Sequence, residues 1–440
     1  MLNKTLEELS SEYPERCILP VSMNEPNERI NIYSGNFTIS ANQKEYPLTG
    51  TLSFRWFPFI SVEFKGSYAS KERPDFKTDE YELLIDDINY GIVKLSNVND
   101  ASCSGYSRKF LWGDFSVPVT EVTFALPNMR EYFGEGVKDV NKGDVKVDKA
   151  RLVFNDDPYT IVLDKLADYK TRTEKLENNG GYLFQYVGKI TKKKGSITLS
   201  ELHKWHLRFH NFLYFLNGRR TAPFFYTGIH EGENRWTDYS GYTVDEYKYT
   251  LSWSNIIRVN SLPELWKSYN KLWKDDVDQD FLITAIHWYI EANSNTGMVE
   301  GSIILIQTAL ELIYNWLIVE NQKIIIGDDA VNLSAANKIR LLIFQFKIDA
   351  AVPAAFEALG KLPNVKDGPE AFVKIRNALV HGQESKRIEL MNISNQAKYE
   401  ALQLGIWYVE LALLFILGYQ GKYRNRTDGN LWRNTGTYVP

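Results

Sequence analysis

The sequence predicts an α+β protein: a β-rich antiparallel N-terminal module, sandwich- or barrel-like, followed by an all-α bundle. Three observations carry this. Apolar residues alternate with polar ones at period 2 through the first half of the chain. From Ser261 onward the apolar spacing changes to that of helices. And 440 residues, 44% hydrophobic and 24% charged, describe a folded chain too long for one ordinary core. The expected division is a β-rich regulatory domain over 1–260, with one helix near 199–217, and a helical domain over 261–440.

The strands follow in order. "TLSFRWFPFISVEFKG" alternates through Leu52, Phe54 and Trp56 and again through Ile60, Val62 and Phe64, with a turn or bulge expected at Pro58. Similar runs are "INIYSGNFTIS", "YELLIDDINYGIVKL", "EVTFALP", "ARLVF", "YTIVL" and "YLFQYVGKI", separated by loops of Asn, Asp, Gly and Lys. One helix, "SITLSELHKWHLRFHNFLYFLNG", is expected to interrupt them, capped by Ser200 and stopped at Gly218, with a further strand in "APFFYTGI". Ser261, Pro263 and Glu264 then make a helix start. After it come "QDFLITAIHWYIEAN", "EGSIILIQTALELIYNWLIVEN", "SAANKIRLLIFQFKI", "EAFVKIRNALVHG" and one long helix from about Glu389 to Tyr419, a bundle of five or six helices.

Bulk properties narrow the function. A net charge of −4 provides no global basic field, so any nucleic-acid contact needs a local patch. Cys17 and Cys103 form no disulfide framework or cysteine-rich metal site. The polar start "MLNKTLEELSSEYPER" has no apolar h-region, which predicts no secretory signal. Ala401–Tyr419 is long enough to span a membrane, but Gln403 and Glu410 interrupt it, so a buried helix and a cytoplasmic protein are expected. No P-loop or dinucleotide-binding glycine motif is present.

The stretch "KIRNALVHG", Lys374 to Gly382, carries the chemistry. On a helix, Phe372, Ile375 and Leu379 form the buried stripe and Gly382 stands where a C′ residue belongs. His381 then lies in the last turn, where the negative end of the helix dipole favours the protonated ring. Asn377 and His381 are four apart, so the amide is placed to orient the ring; Arg376 lies roughly 140° around the axis from His381 and must reach. Lys374, Lys386 and Arg387 are placed to hold an RNA backbone, although a solvated face explains them as well.

Arg376, Asn377 and His381, near the end of a helix in a small bundle, resemble the R-x4-6-H motif of the HEPN superfamily (higher eukaryotes and prokaryotes nucleotide-binding). A β-rich module ahead of the helices, with "TALELIYNW" upstream of the motif, is similar in order to the Apea-like HEPN group, and the resemblance covers essentially the whole chain. It implies metal-independent RNA cleavage by a homodimer whose motifs face one another, leaving 2′,3′-cyclic phosphate ends. It also implies a role in antiphage defence, with the β-module sensing a phage-derived trigger or restraining the enzyme. No cofactor is implied. The chemistry fits the residue types: a histidine suits the proton transfers and a forked, permanently charged arginine suits the phosphate.

In the apolar run "IILIQTALELIYNWLIV", Gln307, Glu311 and Asn315 recur every four residues and draw a polar line. A carboxylate there needs a partner. Arg376 or His381 would place Glu311 at the site, whereas Lys338 or Arg340 would make it structural. Gln403 and Glu410 share a face of the last helix and suggest a second polar strip. His203, His206 and His210 have zinc-compatible spacing, but Trp205 and Phe209 between them favour packing. His230 is expected in a loop and His287 with Glu291 as an ordinary helix pair, while Gly218–Arg220 after a helix end reads as a basic cap or a place for an acidic ligand. Two further readings stand beside the nuclease: a non-catalytic sensor or adaptor that binds nucleotide or RNA, and a carbohydrate- or protein-binding β-module on a structural bundle.

Overall fold

The computed structural model describes residues 12–69, 76, 78–141, 144–257, 259–294, 298–381, 383–428 and 437–439. Gly382 and most of the tail beyond 428 lie outside the described residues. The chain forms two compact units: Met1–His210 with Thr221–Lys248, and Asn211–Arg220 with Tyr249–Pro440. The protein is α+β, with the barrel and the large sheet in the first unit, and the bundle with a short two-stranded ribbon (Lys422–Tyr423 with Thr437–Tyr438) in the second.

The first unit holds a closed barrel. Its strands are β1 (Ile30–Ala41), β2 (Lys44–Arg55), β3 (Ser61–Tyr68), β4 (Glu80–Ile85), β5 (Ile88–Val98) and β6 (Ser102–Ser107), in the order β1-β2-β3-β6-β5-β4. The alternation of the sequence is the cause: Leu52 and Phe54 are buried between more exposed neighbours, and Val62 and Phe64 are buried in β3, where Ser61 and Glu63 are covered as well. The predicted break at Pro58 falls between β2 and β3. Asp86 and Asp87 both take positive φ (49° and 61°), the backbone a two-residue hairpin between β4 and β5 requires. Closure leaves this sheet no free edge.

An eight-stranded antiparallel sheet completes the unit. It comprises β7 (Leu111–Gly113), β8 (Glu121–Pro127), β9 (Glu135–Asn141), β10 (Asp144–Asp156), β11 (Tyr159–Lys165), β12 (Phe184–Lys192), β13 (Phe224–His230) and β14 (Glu233–Asp238), in the order β7-β14-β13-β8-β12-β11-β10-β9. His230 therefore ends a strand at a hairpin rather than lying in a loop.

Among the described residues two helices accompany these strands rather than one, the second running on into the other unit. Helix α1 (Tyr169–Asn179) escaped the periodicity because its stretch is largely polar, burying only Tyr169, Arg172 and Leu176. Helix α2 (Leu199–Asn217) starts one residue before Ser200. Its cap is Thr198, whose Oγ1 accepts from Glu201 N (3.3 Å) while the Glu201 carboxylate accepts from Thr198 N (3.0 Å). That reciprocal pair is a capping box. Gly218, with φ 70°, ends the helix as predicted.

The second unit contains α3 (Leu262–Leu272), α4 (Asp276–Asn293), α5 (Val299–Tyr314, continued as a π-helix over Asn315–Asn321), α6 (Asp328–Asn332), α7 (Ala335–Gln345), α8 (Glu357–Gly360), α9 (Gly368–Val380), α10 (Glu384–Met391) and α11 (Asn395–Ile416). The long final helix is in fact two. Ser394 Oγ accepts from Ala397 N (3.1 Å) and starts α11 afresh, so α10 stands as a separate short helix.

Helices Val299–Asn321 and Asn395–Ile416 are long and apolar enough to cross a membrane, but both are mostly buried inside the unit. On α11 the polar strip is met from within the unit. Glu410 is fully buried and grips Arg426 through two bonds of 2.8 Å, while Gln403 accepts from the same guanidinium (2.9 Å). Arg426 Nη2 also donates to Asn293 Oδ1 (2.9 Å) and Leu251 O (3.2 Å), and Tyr289 donates its hydroxyl to Glu410 (2.7 Å). Burial by itself pushes the arginine's pKa down; the Glu410 charge and hydrogen bonds outweigh it, and the net shift is upward.

Candidate functional site

Helix α9 is held at its N-terminus and along its inner face. At its N-terminus Asp367 accepts from Glu370 N (2.9 Å), and the fork of Arg340 on α7 binds the same carboxylate at 2.6 and 2.9 Å. Along its inner face Ala371, Phe372, Ile375 and Ala378 are buried. Leu379, predicted for this stripe, is only half-buried, and Ala378 takes the inner position. Gly405 of α11 makes the close approach possible, since a Cβ there would come within 2.6 Å of Phe372 and Ile306.

The motif residues emerge at the other end. Arg376 and Asn377 are half-buried on the last turns, and His381 is exposed. His381 is the C-cap, with φ −86° and ψ 96°, its N–H donating to Asn377 O at 3.1 Å. It therefore stands one step past the last helical residue, because the chain has already turned extended there. Asn377 does not orient the ring: its Oδ1 accepts from Arg376 Nη1 at 3.0 Å. Among the described residues, the Arg376 guanidinium meets no carboxylate, and its Nε is buried without a hydrogen-bond partner. Among the described residues the site thus offers an uncompensated cation braced by an amide, and an exposed imidazole five residues further along the chain.

The supporting residues lie elsewhere than expected. Glu311 binds Lys338 Nζ (2.6 Å) and contacts neither Arg376 nor His381, so its role is to tie α5 to α7. The polar line it belongs to runs from buried Gln307 to exposed Asn315. Lys374 and Lys386 both face Glu389 of α10, at 3.8 and 2.7 Å, and Lys374 also donates to Pro363 O. Glu389 went unnoticed in the sequence, although its i+3 spacing from Lys386 was a readable signal. Arg387 is exposed on α10.

The three histidines of α2 gather no ligand set, although the His206 and His210 rings pack with centroids 4.8 Å apart. His206 is buried, its Nδ1 2.7 Å from Tyr226 Oη, and burial holds its pKa well below the usual value. Burial also lowers His210, to about 4, while His203 lies 3.4 Å from Asp238. Among the described residues no group of three or more metal-ligating side chains is assembled. His287 lies 3.9 Å from Glu291, and that glutamate also pairs with Arg220.

Fold and site together define a class: a barrel-and-sheet unit joined in one chain to a helical bundle that presents an Arg-Asn pair and a histidine at a helix end. Residues 114–250 match the YopA central domain and residues 275–437 the YopA C-terminal domain, the latter enclosing the motif. Over 441 residues, covering 97% of each chain, the protein is 26% identical to the SPbeta prophage-derived uncharacterized protein YopA of Bacillus subtilis (strain 168). No solved structure matches the chain significantly.

Proposed function

We propose that the protein is a cytoplasmic HEPN-type endoribonuclease that acts as a homodimer without a metal ion, with the β-rich unit sensing a phage-derived trigger or restraining the activity. The observation that carries the reading is Arg376: a half-buried guanidinium that meets no carboxylate among the described residues, on the helix end that leads to the exposed His381. Such a cation is ready for an anion, and a phosphodiester supplies one.

In this reading His381 of one copy takes the 2′-hydroxyl proton as that oxygen attacks phosphorus. The bond to the 5′-oxygen breaks, and His381 of the second copy supplies the leaving oxygen's proton. Arg376 holds the charge that grows on the phosphorane. The products are a 2′,3′-cyclic phosphate and a 5′-hydroxyl. Val380 before His381 and Ile388 and Met391 after it are 45%, 52% and 83% exposed, apolar side chains that a second copy would cover. A prophage-derived relative fits a role in conflict between phages.

A second reading, a non-catalytic RNA- or nucleotide-binding adaptor, is favoured by one detail: Asn377 supports the arginine and leaves the imidazole unoriented. One experiment separates the two. Purified wild type, Arg376→Ala and His381→Ala are incubated with single-stranded RNA in EDTA, and the ends are analysed. Cyclic phosphate ends from wild type alone support the nuclease. Binding by wild type that Arg376→Ala alone abolishes, with no cleavage by any form, supports the adaptor.

A further inference from the structure

The first unit contains an open groove of about 940 Å³ bordered by the β4–β5 hairpin, the end of β6 and β7. Three aromatic rings line it, Tyr90, Tyr106 and Phe115, and each is backed by another. Tyr90 stacks on Trp112 (4.8 Å, 23°), Tyr106 meets Phe59 edge-on (4.7 Å), and Phe115 stacks on Trp236 (5.0 Å, 26°). Rings supported from behind are fixed platforms, so a ligand that stacks on them has little side-chain entropy to remove.

The groove is also cationic. Lys94 is neutralised by Glu80 at 3.0 Å, but Arg108 and Lys109 are exposed and, among the described residues, meet no carboxylate. Arg108 is steadied instead over the Phe59 ring, 5.2 Å from its centroid. Fixed aromatic faces beside unpaired cations are the two components of single-strand recognition: bases stack and phosphates pair.

We propose that this groove binds a short unpaired stretch of nucleic acid, with bases against Tyr90, Tyr106 and Phe115 and phosphates against Arg108 and Lys109. An acidic peptide would want main-chain pairing as well. The barrel is closed, and the adjoining edge strand β7 is three residues long, so strand addition has little to extend. A duplex hides its bases and could use only the cations. The inference stands apart from the cleavage reading, since it concerns a different unit and needs no chemistry.

The test is fluorescence anisotropy with a labelled ten-nucleotide oligouridine and the full chain carrying His381→Ala, so that cleavage cannot obscure binding. Added to that background, Arg108→Ala/Lys109→Ala should weaken binding and flatten the plot of log K against log salt by about 1.4, from two phosphate contacts at ~0.7 each. Tyr106→Ala should weaken binding by on the order of ten-fold with little change in salt slope. Tyr90→Phe should bind like the background protein, which guards against a folding effect at that ring. Equal affinity for an RNA duplex, preferential binding of a poly-glutamate/tyrosine peptide, or unchanged binding in the Arg108/Lys109 variant would each overturn the proposal. Loss of binding in the groove variants with cleavage chemistry absent from the wild type would uphold this inference and reject the nuclease.

Discussion

Replacing Arg426 by alanine should unfold the helical unit far more readily than its place in a polar tail suggests. The side chain donates to Glu410 twice, to Gln403, to Asn293 and to Leu251 O, and both it and Glu410 are buried. Its removal leaves the Glu410 carboxylate inside an apolar helix with, among the described residues, only the Tyr289 hydroxyl as hydrogen-bond donor. Breaking a buried pair by deleting one partner costs about 3–5 kcal/mol. The orphaned Gln403 oxygen places the expected value near the top of that range, while Asn293 retains its bonds to Gly218 O and Leu251 O. Urea denaturation followed by circular dichroism at 222 nm reports the helical unit. With m of about 3 kcal/mol/M, the midpoint should fall by roughly 1–2 M. The double variant Glu410→Met/Arg426→Met, which removes both charges, should recover most of the loss. A cost below about 1 kcal/mol for Arg426→Ala, or a double variant as unstable as the sum of the singles, would show that the pair is not holding the bundle.

The other expectations are simpler. Arg376→Ala and His381→Ala should each reduce RNA cleavage by about a hundred-fold or more with the fold intact, measured by single-turnover kinetics and thermal melting. Lys338→Met should cost under about 1 kcal/mol and leave cleavage unchanged, because Glu311 is part-exposed and far from holding the motif; a loss of cleavage would restore Glu311 to the site. Ser394→Ala should destabilise by about 1 kcal/mol in the same urea assay through loss of the α11 cap. Acid should weaken the first unit: His210 falls to about 4 when folded, against an ordinary value near 6.5, so the unfolded chain binds its proton first. That contribution is intact above pH 6.5 and is lost as pH falls toward 4, by roughly 3 kcal/mol. His210→Gln should flatten this part of the stability–pH curve, and an unchanged slope would exclude His210 as its source.

The alternation around Leu52–Phe64 and the helical spacing after Ser261 were legible because burial leaves a periodic trace in the residues themselves. Helix α1 was not, because it buries an arginine and keeps a polar surface, so no period shows. The break between α10 and α11 turned on one serine, which a helix interior would also tolerate. At the site, the sequence located Arg376 and His381 on one helix end but misjudged their partners. Asn377 could face either neighbour, and Glu311 could reach either of two cations; only packing selects among them. The groove was invisible for a related reason, since Tyr90, Tyr106 and Phe115 come from separate segments that the barrel and β7 bring to one place.

Helix α10 buries no side chain of its own. Its eight residues follow His381 closely and are fastened to the motif helix chiefly through Glu389. Such a segment sits at the low end of the local-stability scale, where opening is cheap and amide exchange fast. The histidine's immediate surroundings are therefore the part of the bundle whose order is most easily set from outside. Whatever covers Ile388 and Met391 would order the helix that follows the imidazole without deforming the core, and protection of α10 amides from exchange would record the moment it did so.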